Sequence, residues 1–338
     1  MLPIAKFLLK FLAAGLLHYS GALFLYGQFA LRGRISCLLY HRVLPEDLIA
    51  TSDSNRGLIV SSATFEKQMR FLKRWYPPSD SGVLDDQGNP SKISVLVTFD
   101  DGWQDNFDHA APIMRAHDIP GVIFLATDYI GTDNLFWQEK LIKAVRRIWS
   151  ASGGEDPRLE RIIQRKSRSR ESRTARALIS EYVSDLKTRG EGEIRAALDV
   201  FGAASRNIVA ADEVDRFMTW SQARELLASQ RIEFGSHTAS HRMMTQLDDE
   251  NIEEELSVSR QKLERELSRE GILFAYPNGD RNERVERILD GSAYRYAFEV
   301  RPGFADPVRE PVSLKRMMIH DGIAPNIPMF HCHLLGII

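Results

Sequence analysis

The stretch that decides the fold lies between Ile93 and Gly131. It reads "ISVLVTFDDG" (93–102), then "NFDHAAPIMRAHD" (106–118), then "GVIFLATDYIG" (121–131). Ile93 to Phe99 is a short, nearly continuous apolar run ended by polar residues, the pattern of a strand covered on both faces. The middle segment has a helical pattern that closes near Asp118, ahead of Pro120. Val122 to Ala126 repeats the buried-strand texture. Strand, helix and strand in that order make a βαβ unit with parallel strands.

The same alternation extends in both directions. "ISCLLYHRV" (35–43) gives an earlier strand that ends at His41 and Arg42. Later come the helix pattern "TWSQARELLASQ" (219–230), the strand "RIEFGSH" (231–237) and the long amphipathic helix "DDENIEEELSVSRQKLERELSRE" (248–270). Three more strands follow, "GILFAYPNG" (271–279), "YRYAFEV" (294–300) and "SLKRMMIHDG" (313–322). Periodicity alone leaves a barrel and an open parallel sheet equally open. Residues 134–218 interrupt the alternation with a mostly helical insertion carrying "FWQEKLIKAVRRIW" (136–149) and "RTARALISEYVSDLKTR" (173–189). Its basic run "RKSRSRESR" (165–173) reads as a solvated face or as a contact with anionic lipid.

The chain has 338 residues, 43% hydrophobic and 27% charged, with a formal net charge of −2. That is enough for one large core with insertions. The charge balance gives no support to a nucleic-acid partner. Two cysteines, Cys37 and Cys332, are too few for a disulfide scaffold and leave the compartment open. Residues 1–34 differ from the rest: Lys6 and Lys10 precede an uncharged run from Phe11 to Leu31, and Arg32 and Arg34 follow it. This segment reads as a helix packed on the domain, an interfacial membrane helix or a single uncleaved anchor. The location is accordingly cytoplasmic or membrane-associated, and residues 35–338 form the main domain.

Polar residues collect where strands end, which is where α/β folds bind ligands. His41 follows "CLLY", Asp100 and Asp101 follow "VLVTF", His237 follows "IEFGS", Asn278 follows "LFAYP" and His320 follows "MMI". In "TFDDG", adjacent carboxylates can divide labour, one as metal ligand and one as proton acceptor, or they can cap the following helix. In "FGSHTASH" (234–241), a helix beginning at Thr238 would place His237 and His241 on one face, within reach of one ion. Two imidazoles with a carboxylate suit zinc or a neighbouring divalent ion. The alternative is a partly exposed histidine pair with Ser236 or Thr238 as caps.

Taken together, "LLYHRV", "TFDDG", "HTASH" and "FAYPNG" resemble the polysaccharide deacetylase family, which shares the NodB homology domain and is carbohydrate esterase family 4-like. The resemblance implies a distorted (β/α)7 barrel and metal-dependent hydrolysis of N-acetyl groups from amino sugars in a polysaccharide, oligosaccharide or lipid-linked glycan. Members near envelope and exopolysaccharide genes look most similar. By position it makes Asp101, His237 and His241 the metal ligands and Asp100 the general base. It gives the backbone N–H of Asn278 to the oxyanion and makes His320 the candidate general acid. The family's orienting arginine falls at Ala275, so Arg316 or Arg242 would have to reach Asp100 instead.

That departure keeps a catalytically impaired carbohydrate-binding or assembly protein as an alternative, beside a related deformylase or O-deacetylase. His41, Tyr276, Trp137 and Trp220 are further substrate or orienting candidates, the tryptophans for their apolar faces. "HCHLL" (331–335) reads as tail packing. Persuasive dinucleotide loops and "GxSxG" elbows are absent, which argues against a dinucleotide enzyme and a serine esterase.

Overall fold

The computed structural model describes residues 2–152, 156–159, 175–202, 214–229 and 231–338. The basic run at 165–173 lies outside them. By internal contacts the chain divides into two compact units. The first is Met1–Ala50, Arg56–Thr132 and Phe217–Ile338, and the second is Thr51–Asn55 with Asp133–Arg216.

The first unit is built on a seven-stranded parallel sheet in the order β8-β7-β6-β5-β4-β1-β9. Its strands are β1 (Ile35–Tyr40), β4 (Ser94–Phe99), β5 (Gly121–Leu125), β6 (Ile232–Ser236), β7 (Leu273–Ala275), β8 (Tyr296–Phe298) and β9 (Arg316–Met318). Two short strands, β2 (Arg42–Leu44) and β3 (Ile59–Ser61), pair separately. The bridge Phe298–Leu314 joins β8 to the chain entering β9 and nearly closes the sheet on itself. The result is the distorted (β/α)7 barrel that the sequence leads one to expect. Ile35, Cys37, Leu96, Phe124, Leu273, Ala275 and Phe298 form one core cluster. The side chains of Phe274, Tyr276 and Ala297 form another with Ile252, Leu256, Val285 and Leu289 of the surrounding helices. Because side chains alternate along a strand, β7 and β8 can serve both cores at once.

Register then sets the height of the polar rim. Tyr40 pairs with Phe99, so His41 and Asp100 leave their strands together, and Asp100 N–H donates to Tyr40 O at 3.1 Å. Leu125 pairs with Ser236, and His237 N–H donates to Leu125 O at 2.9 Å. Leu39 pairs with Met318, which sets His320 two residues beyond the end of β9.

The helix following β4 opens with a wide π turn, Asn106–Ala110, before the α-helix Ala111–Ala116. Asn106 Nδ2 in this turn donates to His41 O at 2.8 Å, which ties the turn to the neighbouring strand end. At the amino terminus, α1 (Leu2–Tyr19) and α2 (Ala22–Phe29) are separated at Ser20 and Gly21. Gly21 has φ 81°, and the two helices are bent by 72°. Among the described residues no single helix is long and apolar enough to cross a membrane. The run from Phe11 to Leu31 is therefore not one straight anchor.

The second unit contains the helices Trp137–Ser152, Ala175–Lys187 and Glu191–Val200. Buried Lys143 Nζ lies 2.9 Å from Asp53 Oδ2 and 3.2 Å from Asp215 Oδ2, which holds Thr51–Asn55 to this unit. That tie joins residues 162 apart in sequence, since Asp53 N–H also donates to Asp215.

Candidate metal and hydrolytic site

Asp100 continues the inward alternation of Leu96 and Thr98 in β4, so its carboxylate points into the barrel mouth. It is fully buried and meets Arg316 of β9 through two hydrogen bonds, Nη1 to Oδ1 and Nη2 to Oδ2, both 2.7 Å. The same guanidinium reaches Thr98 Oγ1 and the Glu299 carbonyl, and it lies against the rings of Phe124 and Phe298. Burial alone would raise the Asp100 pKa. The charge and hydrogen bonds of Arg316 outweigh it and hold the group below the usual carboxylate range.

Asp101 turns the other way because its φ is 78°, and Gly102 follows at 82°. A Cβ on Gly102 would stand 2.6 Å from Leu125 Cδ2, and at this positive φ a side chain would also strain the turn. Asp101 Oδ1 comes 3.5 Å from His237 Nε2 and 3.3 Å from His241 Nε2. The three groups form the metal-ligand cluster found among the described residues. Two ligand atoms about 2.1 Å from one ion and separated by roughly a right angle stand ~3.0–3.4 Å apart, so the spacing fits a shared divalent cation.

The other side-chain atoms of Asp101 and His237 are already committed. Asp101 Oδ2 accepts from Trp103 Nε1 at 2.8 Å. His237 Nδ1 lies 2.7 Å from Ala275 O. A carbonyl can only accept, so Nδ1 carries the proton and Nε2 presents its lone pair. Burial, reinforced by the His241 charge and opposed by the aspartates, pushes the His237 pKa down to about 4 and keeps the ring neutral.

The two histidines do not share a helix face. Residues 237–243 form a loop in which Thr238 and His241 both have positive φ, 64° and 59°. Helical spacing is therefore the wrong reason for their proximity. The loop is set by Thr238 Oγ1, which accepts from His241 N–H at 3.0 Å. Glu255 completes it, accepting from Ala239 N–H and Ser240 N–H at 2.9 Å and from the Ser240 hydroxyl. Seven non-glycine residues among those described have positive φ, and four of them, Asp101, Thr238, His241 and Asn278, stand at this rim. Unusual backbone is thus concentrated where the polar groups converge.

Asn278 lies in the short turn Pro277–Gly279 after β7 with φ 58°, its Nδ2 donating to Asp280 Oδ2 at 2.9 Å. His320 is half-buried, and its Nδ1 accepts from Gly322 N–H at 3.1 Å, which leaves Nε2 as the protonated nitrogen. Burial, with the nearby His41 charge, lowers its pKa. His41 leaves β1 beside Asp100, which places it at the same rim.

Four sequence candidates are corrected or relocated. Tyr276 is no substrate contact: its ring packs in the outer core and its hydroxyl donates to Val312 O at 2.8 Å. Arg242 is directed to Asn251 Oδ1 at 3.1 Å rather than to Asp100. Trp220 opens the helix Trp220–Ser229, with Cδ1 3.5 Å from where a Cβ on Gly131 would lie. Trp137 opens the helix Trp137–Ser152 of the second unit.

Other supporting residues escaped the sequence reading. Trp103 lies two residues past Asp101 in "FDDGW", a spacing that could have drawn attention to it. Its ring stacks on Phe217 at 4.4 Å between centroids and lies under the Arg42 guanidinium at 4.2 Å. Buried Arg42 is in turn bonded to Asp105 at 2.6 Å. No local pattern could have linked Arg42 to that chain.

A nearly closed parallel barrel thus carries a two-histidine, one-carboxylate cluster able to hold a divalent ion, beside a second buried carboxylate. The family model for polysaccharide deacetylase matches residues 87–155 and 191–297, slightly more than half of the chain, and the protein belongs to that family. Among curated relatives, a poly-beta-1,6-N-acetyl-D-glucosamine N-deacetylase of Staphylococcus epidermidis is 30% identical over 108 residues, 29% of this chain and 37% of its own. The putative polysaccharide deacetylase YxkH of Bacillus subtilis is 27% identical over 113 residues, 32% of this chain and 37% of its own. The matches thus span little more than a third of these relatives. Among solved structures, Streptococcus pyogenes deacetylase PplD superposes with TM-score 0.56 at 18% identity, covering 86% of this chain and 95% of its own. IcaB from Ammonifex degensii superposes with TM-score 0.55 at 18% identity, covering 88% and 97%. At that identity these structures establish the shared fold.

Proposed function

We propose that the protein is a divalent-metal-dependent N-deacetylase of glycans containing N-acetylated amino sugars, with zinc as the ion. The observation that carries this reading is the pairing of a ligand triad with a separate, arginine-held carboxylate. Asp100 Oδ2 stands 3.9 Å from His237 Nε2, next to the triad rather than part of it. The names of the staphylococcal relatives point to poly-N-acetylglucosamine as the first substrate to test.

Asp101, His237 and His241 would hold the ion through Oδ1 and the two Nε2 atoms. A divalent ion bound there supplies Lewis-acid polarisation of the acetamide carbonyl and of the attacking water. The Asp100 carboxylate takes the proton from that water, oriented by its two bonds to Arg316. The Asn278 backbone N–H would donate to the developing oxyanion. His320 Nε2 gives a proton to the departing amine, and acetate leaves. Arg316 bears directly on the impaired-site alternative, because it gives Asp100 a guanidinium from β9 where Ala275 provides none.

The test is acetate release from a panel of N-acetylated, O-acetylated and N-formylated glycans, with stoichiometric zinc added. N-acetyl hydrolysis that disappears in Asp100→Asn, while metal content is unchanged, supports the reading. Full metal loading with no release from any N-acetylated glycan overturns it in favour of a binding or assembly role.

A further inference from the structure

We propose that the outer face of the amino-terminal helix pair docks on an anionic lipid bilayer, lying in the plane of the interface. The inner face of the pair is already used. Ala14 and Leu23 are buried, and His18 Nδ1 meets His331 Nδ1 at 3.0 Å. His331 Nε2 meets the Tyr76 hydroxyl at 2.6 Å, and α2 approaches Tyr76 so closely that a Cβ on Gly27 would stand 2.9 Å from that oxygen.

The outer face is apolar and open. Leu8, Leu9, Leu12, Leu16 and Tyr19 are 54%, 69%, 69%, 74% and 81% exposed. At 3.6 residues per turn they fall within an arc of about 100°, opposite Ala14. Leu25 and Phe29 of α2, each 59% exposed, extend the apolar surface beyond the bend. Burying such an arc needs an apolar phase, and charge selects which one.

Residues 1–34 contain Lys6, Lys10, Arg32 and Arg34 and no acidic residue. All four cations are exposed. The segment carries +4 in a chain of net −2, so the remaining residues carry −6. A second copy would bring like charges together at the rim of the same face, whereas anionic headgroups complement them. The geometry also favours lying over crossing. A helix of eight residues is about 12 Å long, well short of the ~30 Å hydrocarbon layer. In α1 both lysines stand within the helix, exposed and outside the apolar arc on its Leu9 side, as polar residues do in interfacial helices.

The experiment is vesicle flotation of the full chain with phosphatidylcholine vesicles and with vesicles that also contain phosphatidylglycerol. The expected result is binding about tenfold or more tighter to the anionic vesicles, weakened by added salt. Leu12→Glu with Leu16→Glu should abolish flotation while leaving melting temperature and acetate release from a soluble oligosaccharide unchanged. Lys6→Glu with Lys10→Glu should remove the preference for anionic vesicles. Flotation that persists in Leu12→Glu/Leu16→Glu overturns the proposal. So does a chain that ignores both vesicle types but forms a dimer dissociated by those substitutions.

Discussion

Arg316 and Asp100, 216 residues apart in sequence, meet in the barrel mouth through two parallel hydrogen bonds of 2.7 Å. The pair is fully desolvated, so each charge depends on the other. Arg316→Met should destabilise the fold by roughly 3–5 kcal/mol, because it leaves a buried carboxylate unpaired. It should also raise the Asp100 pKa, and since the proposed general base must be deprotonated to act, the acid limb of kcat/KM should move to higher pH. Denaturant unfolding and a pH–rate profile check both, with Arg316→Lys intermediate in each.

Trp103→Phe keeps an aromatic ring against Phe217 and Arg42 but removes the Nε1–H that fixes Asp101 Oδ2 at 2.8 Å. Loss of such a ligand-orienting bond should weaken metal binding about 10–100-fold. Chelator competition on the folded variant measures it, and unchanged affinity would remove Trp103 from the site's support.

His241→Ala should lose stoichiometric metal by elemental analysis and leave the melting curve of the apo protein nearly unchanged. The side chain is only partly buried and sits in a loop, so little packing depends on it. Retention of a full equivalent of metal would mean that the ion is held elsewhere.

His320→Gln tests the proposed proton donor. Its turnover should fall by about 10²–10⁴ with metal content unchanged. A decrease confined to KM would instead assign His320 to substrate binding.

His331 gives a stability prediction independent of the active site. Burial, with the His18 charge, pushes its pKa down to about 3. The unfolded chain takes up this proton below about pH 6.5. The contribution of the neutral buried ring is therefore complete above that pH and is lost as pH falls toward about 3, by up to ~1.4 kcal/mol per pH unit. Thermal melts from pH 7 to pH 4 should show a shallower decline in His331→Phe than in the parent protein.

Much of this was legible in the chain because it depends on local pattern. Short apolar runs alternating with helical segments fix parallel strands, and polar residues at the ends of those runs mark the rim. Period-two alternation through Leu96, Thr98 and Asp100 is enough to aim one carboxylate inward. The motifs around Asp101, His237 and His241 carried the family resemblance. What the sequence misjudged was the local backbone: the histidine pair is brought together by two left-handed residues and by Glu255, not by a helix turn. Tyr276 looked like a rim residue, but its position beyond β7 turns it into the outer core.

The tertiary structure alone decided which arginine serves Asp100, since only the closing of β9 against β1 brings position 316 beside position 100. It also decided that the apolar amino terminus is a bent pair with one face committed to Tyr76 and His331 and the other left open. The physical reason is the same in both cases. Hydrophobic periodicity encodes which face of an element is buried, whereas the partner that covers it is set by strand register and chain crossing over hundreds of residues.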